Sequence, residues 1–407
     1  MSSSEPSTAT LRSIAPSVFL PAMVYEIGNG AIAPIIALTA LHVGASPSTA
    51  GYMLALLGIG QVLGDVPSAW LADRIGDRHA MIAAAGVAVL ALLGCLMAQS
   101  LVVLGLALTV IGMCNATYYL ARQSYLTEVV RVDLRARAMS TLGGSHRIGL
   151  FIGPFVGALA IGLVGLKGAF IVAMITASTA AVLLVVIPDV ARADDRPPAV
   201  RGGVSAWAMF TAHRRLFATL GFAVLAVGAV RAARQTVLPL WAEHIGLGPE
   251  KTSIIFGIAS AVDMALFYPA GKVMDRYGRL AVAMPSMIIV GVAMMLLPLT
   301  SGEWLLAGVA IVMSFGNGIG SGIMMTIGAD VAPTDNRTRF LSIWRVMSDS
   351  GNAAGPVVVS IVATVWTLAA GITVIGSAGL LAAAGLAAWT PRYSPFATRA
   401  MMKAQRE

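Results

Sequence analysis

Two stretches of this chain, 202 residues apart, carry the same short charged signature between apolar runs. The first reads Asp73-Arg74-Ile75-Gly76 and the second Asp275-Arg276-Tyr277-Gly278. The same offset relates further pairs, among them His42/His244, Asn115/Asn317, Glu128/Asp330, Arg137/Arg339, Gly149/Gly351, Gly153/Gly355 and Pro154/Pro356. So many pairs do not share one offset by chance, and the chain therefore consists of two copies of one unit.

The composition indicates that both copies lie in a membrane. Hydrophobic residues make up 57% of the chain and charged residues 11%, whereas about a quarter of a soluble protein is charged. Apolar stretches of about 20 residues are long enough to span the hydrocarbon layer, and a helix satisfies its own backbone polar groups there. Twelve such spans, numbered 1 to 12, are predicted at about 15–41, 48–72, 79–98, 101–126, 138–163, 168–188, 216–242, 252–275, 280–299, 303–328, 339–364 and 368–390. We therefore predict an all-α membrane protein with two six-helix halves, the pattern of transporters built from parallel repeats.

The distribution of basic residues predicts the topology. Most Lys and Arg lie at the two ends and in the loops after even-numbered spans, whereas the opposite loops hold Lys167 and Lys251. By the positive-inside rule both termini face the cytoplasm, and the net charge of +8 requires no nucleic-acid partner. The predicted organisation is a first half (1–188), a cytoplasmic linker (189–215) with a surface helix at 204–213, a second half (216–391) and a cytoplasmic tail (392–407). We expect a monomer in a plasma membrane, specifically a bacterial cytoplasmic membrane.

Several other classes of site are disfavoured. Cys95 and Cys114 lie inside predicted spans, where packing explains them better than a disulfide or a metal site. The run Gly248-Pro249-Glu250-Lys251-Thr252 lacks the Gly before Lys that a phosphate loop needs. No nucleophile–base pair or metal-ligand cluster is visible in the sequence, so we do not expect an enzyme or a cofactor. A transporter without a nucleotide site is expected to use an ion gradient, such as that of the proton.

The repeated signature resembles the loop motif Gly-x-x-x-Asp-Arg-x-Gly-Arg/Lys of the major facilitator superfamily. The second copy matches fully, with Gly271, Asp275, Arg276, Gly278 and Arg279. The first copy matches at Asp73, Arg74 and Gly76, whereas Ala69 and Asp77 depart from the motif. The resemblance implies the 12-helix fold of that superfamily and a conformational latch on the cytoplasmic side. We expect the latch to include these motif residues together with Glu128, Arg137, Asp330 and Arg339.

A second motif, in span 5, resembles one associated with antiporters and exporters. It consists of Gly149, Gly153, Pro154 and Gly157, with Ala158 in place of the last Gly. The likeness is to the 12-helix drug:proton antiporters. One departure is the Arg expected early in span 4, where Leu108 stands instead.

Ionisable residues inside the predicted spans are functional candidates, because each costs at least about 2.5–3.5 kcal/mol near the bilayer centre. Glu26 is the first candidate for a proton carrier, and Asp349 and Asp263 are the alternatives. The predicted substrate cavity is lined by Tyr25, Glu26, Asn29, Asn115, Tyr118, Tyr119, Arg122, His146, Arg147, Arg231, Arg234, Gln235, Asn317, Trp344, Arg345 and Asp349.

Partners for these charges follow from their depth. We predict the interface pairs Asp65–Arg345 and Arg147–Asp263. The alternatives are that Arg345 pairs with Asp349 one turn along its own helix, and that Glu26 is permanently paired with Arg231 or Arg234.

The function expected from these residues is secondary active transport with alternating access, most of all proton-coupled export of small organic molecules. The alternative is an organic-anion transporter, not necessarily proton-coupled, in which Arg231, Arg234 and Arg147 bind a carboxylate or phosphate.

Overall fold

The computed structural model describes residues 15–130, 135–188, 206–333 and 337–404. These residues fold into helices joined by short connections, and a π-helical turn, Ala15–Phe19, precedes the first helix. The helices are α1 (Leu20–Ile32), α2 (Ile36–His42), α3 (Pro47–Ile75), α4 (Asp77–Leu96), α5 (Leu101–Val129), α6 (Arg135–Val164), α7 (Lys167–Val186), α8 (Ala206–Ala212), α9 (Arg214–Leu216), α10 (Phe222–His244), α11 (Pro249–Tyr277), α12 (Leu280–Leu296), α13 (Glu303–Ile319), α14 (Ile323–Val331), α15 (Arg337–Val365), α16 (Leu368–Tyr393) and α17 (Arg399–Ala404).

Each predicted span coincides with one of these helices or with a broken pair of them, which confirms the all-α prediction. Span 1 comprises α1 and α2, which are separated at Pro34, where proline removes a backbone donor. Among the described residues, nine stretches are long and apolar enough to cross a membrane, and a tenth is obtained if the bent halves of α11 are counted as one. Spans 2 and 11 correspond to the 29-residue helices α3 and α15, which carry several charged residues and are not among those nine.

The chain divides into two compact units. Unit 1 contains Met1–Ile32 and Ile59–Ala199, and unit 2 contains Ala33–Gly58 and Val200–Glu407. The segment from Ala33 to Gly58 therefore groups with the second copy, which the repeat did not lead us to expect. The predicted boundaries of the two halves stay a prediction.

In both units a glycine-bearing helix packs closely on the helix that begins the repeat, which is α1 in unit 1 and α10 in unit 2. In unit 1 this is α6, where a Cβ added at Gly149 would lie 2.5 Å from the Cβ of Glu26 on α1. In unit 2 it is α15, where a Cβ added at Gly351 would lie 3.1 Å from the backbone nitrogen of Ala229 on α10. Residues 149 and 351 are related by the 202-residue offset, and so are the carbonyl oxygens of Met23 and Leu225 that each added Cβ would also meet, so the same backbone contact occurs twice.

The helix predicted at 204–213 is present as α8, and its position on a membrane surface stays a prediction. Met209 on α8 is buried in the core of unit 2, and Phe210 stacks on Phe217 with 5.5 Å between ring centroids. His213, which follows α8, meets the edge of Phe340 on α15 at 5.4 Å. The short helix is therefore part of the packing of unit 2.

Candidate functional site

Glu26 on α1 is the centre of a polar cluster in unit 1. Its side chain is 0% exposed. Arg122 donates from Nη1 to its Oε1 at 3.0 Å. Asn29 Nδ2 and the Tyr119 hydroxyl each donate to its Oε2 at 3.2 Å. The carboxylate thus accepts three hydrogen bonds in a site that water does not reach, which suits its ionised form, since a carboxylate can only accept.

His146 is the second titratable group of this cluster. Its Nδ1 lies 2.8 Å from Oε1 of Glu26, although the two atoms are not aligned as a hydrogen bond. Its ring meets Tyr119 edge-on at 5.9 Å, and the guanidinium of Arg122 lies over the Tyr119 ring at 4.5 Å. Tyr119 therefore holds the imidazole and the guanidinium beside the same carboxylate.

Helical spacing explains why these side chains meet. Residues three or four apart share a helix face, which places Asn29 beside Glu26 on α1 and Arg122 beside Tyr119 on α5. On α6, Gly149 lets the backbone approach α1, so that His146, one turn earlier, reaches the carboxylate. The glycine motif predicted from the sequence is thus what brings His146 to Glu26.

A buried layer of aromatic rings lies next to the cluster. The Tyr25 and Tyr118 rings are stacked, with centroids 4.0 Å apart and planes 7° apart. The Tyr25 hydroxyl donates to Oδ1 of Asn115 at 2.9 Å. All three residues are buried, so they fix the packing of α1 against α5.

Unit 2 contains a second polar network, which joins α10, α11 and α13. Arg234 is 6% exposed; it donates to Ser314 at 2.8 Å, and its Nη2 lies 3.7 Å from Oδ2 of Asp263. Asn317 donates to the same Asp263 oxygen at 2.7 Å and accepts from Nε of Arg231 at 2.8 Å. Within the residues that the structure describes, Nε of Arg234 is buried without an acceptor. Ser314 was not predicted; its position one turn before Asn317 on α13 is the only signal in the sequence.

The structure selects among the partners considered for the intramembrane charges. Glu26 pairs with Arg122 in unit 1, and Arg231 and Arg234 contact residues of unit 2. The predicted pairs Asp65–Arg345 and Arg147–Asp263 each join residues of different units and stay predictions.

Within unit 2, Arg345 has the contact that the alternative predicts. It contacts Asp349 at 3.3 Å along its own helix.

One predicted cavity residue lies elsewhere than expected. Trp344 is not a cavity wall, because its side chain is buried in the core of unit 2 and its Nε1 donates to the carbonyl of Met324 at 2.8 Å. An aromatic side chain on an apolar helix face gives the same sequence signal in either role. Gln235 is exposed, and the adjacent Arg234 is buried.

The second copy of the loop motif forms a defined ion-pair cluster. Arg279 contacts Asp330 through two hydrogen bonds, of 2.7 Å from Nε and 3.2 Å from Nη2, and approaches Asp275 at 3.7 Å. In the first copy Asp73 and Arg74 are exposed, and Arg74 lies over the Trp70 ring at 5.2 Å. The side chains of Glu128, Arg137 and Arg339 lie outside the described part of the structure, and the latch as a whole stays a prediction.

The segment after α16 binds to this cluster. The backbone nitrogens of Arg279 and Leu280 donate to the carbonyls of Phe396 and Ala397 at 3.1 Å and 3.0 Å. The Arg279 guanidinium lies over the Phe396 ring at 5.1 Å, and Ser394 donates to Asp330 at 3.4 Å. Ser394 and Ala397 are almost fully buried by these contacts. The segment 394–398, here called the tail strap, is therefore fixed to the loop between α11 and α12.

Comparison with known proteins agrees with this architecture. A family model described as Major Facilitator Superfamily matches residues 18–356. A curated relative, the multidrug resistance protein MdtG of Rahnella sp. (strain Y9602), is 23% identical over 159 residues, which is 38% of this chain and 39% of that protein. Two solved structures share the fold. One is a POT family transporter in complex with a thioalcohol conjugated peptide (TM-score 0.75, 13% identity, 94% of this chain and 96% of that one). The other is a D-xylose-proton symporter (TM-score 0.70, 15% identity, 95% and 99%).

Proposed function

Because the chain belongs to the Major Facilitator Superfamily and is thus a multi-pass membrane transporter of small molecules and not an enzyme, we propose that it exports small organic molecules in exchange for protons. Glu26 is the group that carries the proton in this proposal. The observation that carries it is the fully buried Glu26 carboxylate, held by Arg122, Asn29 and Tyr119 and faced by His146.

Protonation of Glu26 must change the hydrogen bonds around it, because all three of its partners are donors. An ionised carboxylate accepts all three hydrogen bonds, whereas a protonated one has a donor on one oxygen and must give up or turn a contact. The pair with Arg122 is the strongest of the three, because both groups are charged. Protonation of Glu26 therefore releases Arg122 and removes the charged contact between α1 and α5. The contacts of Tyr25 with Tyr118 and Asn115 remain. A proton on Glu26 thus favours one conformation of the transporter over the other, as a coupling ion must.

Two observations support export of organic molecules. The glycine motif that resembles one associated with antiporters and exporters lies directly against Glu26, where any side chain at position 149 would displace the carboxylate. The curated relative is described as a multidrug resistance protein, although it matches only part of this chain. We place the protein in a bacterial cytoplasmic membrane, with both termini in the cytoplasm, on the distribution of its basic residues.

The test uses purified protein in proteoliposomes with an imposed pH gradient. The probes are a panel of organic cations and anions that includes ethidium and benzoate. For a transported probe, Glu26→Gln should abolish gradient-driven flux but leave probe–probe exchange in the absence of a gradient. The matched control is Glu243→Gln, since Glu243 is exposed at the end of α10. Gradient-driven flux that is unchanged in Glu26→Gln contradicts the proposal.

A second candidate function is transport of organic anions, and the network of unit 2 favours it. Arg231 and Arg234 contribute two guanidinium groups, whereas Asp263 is the acid that contacts this network. The buried Nε of Arg234 has no acceptor among the described residues, and a carboxylate or phosphate would supply one. The same panel separates the two functions. An anion carrier transports benzoate and not ethidium, and Arg231→Ala raises the KM for the anion alone.

A further inference from the structure

The described residues enclose Glu26, so that a proton has no direct route to it among them. Its side chain is 0% exposed, so water does not reach either oxygen in the described state. A small cavity opens beside Asn29 and Tyr25, but its other walls are apolar, with side chains such as Leu92 and Ile111. Water is ordered in cavities that offer several polar partners, and this one offers few. A proton must therefore reach Glu26 through one of the side chains that touch it.

The four side chains that contact Glu26 differ in their ability to transfer a proton. The Arg122 guanidinium stays protonated at any physiological pH, and the Asn29 amide does not titrate. The Tyr119 hydroxyl titrates near pH 10 in its ordinary state and already donates its proton to Glu26. An imidazole is the side chain whose charge changes between about pH 5 and 8, and it has two nitrogens that bind protons independently.

We propose that His146 is the relay that delivers the proton to Glu26 and removes it, an inference that rests on the proposed proton coupling. Its Nδ1 is buried at 2.8 Å from Oε1 of Glu26, whereas its side chain as a whole is 31% exposed. The exposed atoms are therefore among the other atoms of the side chain. In this proposal Nδ1 faces the carboxylate, and Nε2 is the atom that exchanges a proton with water.

The transfer balances as a single proton movement. A hydronium ion gives a proton to Nε2 of a neutral ring that carries its own proton on Nδ1, which leaves a water molecule and an imidazolium with protons on both nitrogens. A small rotation of the ring then aligns Nδ1–H with Oε1, and that proton passes to Glu26, so that a carboxylic acid and a neutral imidazole remain. The neutral ring then carries its proton on Nε2. Release follows the same steps in reverse: Glu26 returns its proton to Nδ1, the Nε2 proton passes to water, and the starting tautomer with its proton on Nδ1 is restored.

The charges around His146 favour transfer of its Nδ1 proton to Glu26. From α1 it faces the Glu26 carboxylate, and from α5 it faces Tyr119 and the permanent cation Arg122. Its own helix contributes the adjacent Arg147, and α7 carries one charged residue, Lys167 at its first position. The carboxylate of Glu26 attracts a proton on Nδ1, and the Arg122 cation on the same carboxylate repels an imidazolium. Both effects direct the Nδ1 proton towards Oε1 of Glu26.

The experiment follows Glu26 directly and needs no transported substrate. Purified protein in lipid nanodiscs is subjected to a rapid drop in pH, and the carbonyl stretch of the protonated carboxylic acid is recorded by time-resolved infrared spectroscopy. The band that disappears in Glu26→Gln is assigned to Glu26. In His146→Gln the band should reach its usual final amplitude but form about 10²-fold more slowly, the size of effect typical of a lost proton-transfer group. In His146→Ala, imidazole added to the buffer should restore a large part of the rate.

The control is His79→Gln, an exposed histidine at the start of α4, which should leave the rate unchanged. If His146→Gln forms the band at the wild-type rate, the relay is wrong and the proposed function stands. If both His146 variants lack the band even with imidazole, the histidine supports the structure of the site and does not relay. If wild-type protein shows no Glu26 band across the pH range of transport, the proton-coupled function itself fails.

Discussion

Substitution of Gly278 by Ala should detach the tail strap, whereas the equivalent change at Gly76 should not. Both glycines have positive φ angles, 95° for Gly278 and 86° for Gly76, and they are related by the 202-residue repeat. They differ in what surrounds them. A Cβ at Gly278 would lie 2.7 Å from both the Ala397 carbonyl oxygen and the Thr398 Cα, whereas a Cβ at Gly76 meets nothing within 4 Å.

The size of the effect follows from this comparison. Backbone strain is common to both variants and costs about 1–3 kcal/mol in this Gly-only region. The collision is specific to Gly278→Ala, and moving the strap away relieves it. That movement loses the two backbone hydrogen bonds from Arg279 and Leu280, worth about 0.5–1.5 kcal/mol each. The strap's docking equilibrium should therefore weaken by about 1–3 kcal/mol, or about 5- to 150-fold.

A near-isosteric reporter measures that equilibrium. Ser394→Cys places a thiol at a site that is 1% exposed while the strap is bound. The native Cys95 and Cys114 are both buried and contribute little background. Reaction with a hydrophilic maleimide requires local opening, so its rate follows the population of detached strap. We expect Gly278→Ala to raise this rate by about 5- to 150-fold, and Gly76→Ala by less than about twofold, because it leaves the strap contacts in place.

Two results would refute this reasoning. Equal acceleration by Gly76→Ala would mean that general strain, and not the contact with Ala397, opens the strap. An unchanged rate in Gly278→Ala would mean that the loop absorbs the new methyl group without moving the strap. Circular dichroism and elution volume in detergent confirm that each variant remains folded.

The remaining predictions concern arginines. Arg279→Ala should accelerate labelling of Ser394→Cys at least tenfold, because it removes the ion pair with Asp330 and the stacking on Phe396. Arg276→Ala is the control, since its exposed side chain stacks on a neighbouring tyrosine, and a similar acceleration there would contradict the assignment. Arg234→Ala should lower the free energy of unfolding in detergent by about 3 kcal/mol, because it removes a buried guanidinium together with its hydrogen bond to Ser314 and its ion pair with Asp263. Arg231→Ala should lower the free energy of unfolding by less, since that side chain is only half-buried. Equal losses in the two variants would contradict the argument that the more buried arginine contributes more to stability.

The fold was predictable because its signals are periodic and redundant. Twelve apolar stretches, a repeated charged loop and paired glycines each indicate the same two-copy arrangement. Several positions of the site were also predictable, since an ionisable group in an apolar helix is costly and therefore functional by default. Glu26, Arg122 and His146 were all found in this way.

The pairing within the site was not predictable from the sequence. Glu26 was assigned Arg231 or Arg234 as alternative partners, because depth along a helix does not fix which face a side chain occupies. The rotation of α1 against α5 and α6 decides this, and it depends on the contact at Gly149. The tail strap was missed for a different reason. Its contacts are backbone hydrogen bonds to Phe396 and Ala397, for which any sequence supplies donors and acceptors.

Comparison of the two copies indicates what the repeat has retained. Asn115 and Asn317 occupy equivalent positions, and in each unit the side-chain oxygen accepts a hydrogen bond from the first long helix of the repeat, from Tyr25 in one and from Arg231 in the other. The acceptor is thus shared, but the donor is neutral in unit 1 and charged in unit 2. Unit 1 places its carboxylate at the buried centre, and unit 2 places the guanidinium of Arg234 there. A proton carrier needs an acid whose partners can be released, whereas a permanent cation cannot titrate in this way. The backbone contacts that hold the helices are therefore common to both units, whereas the fully buried glutamate on which the proposed proton coupling rests belongs to the first.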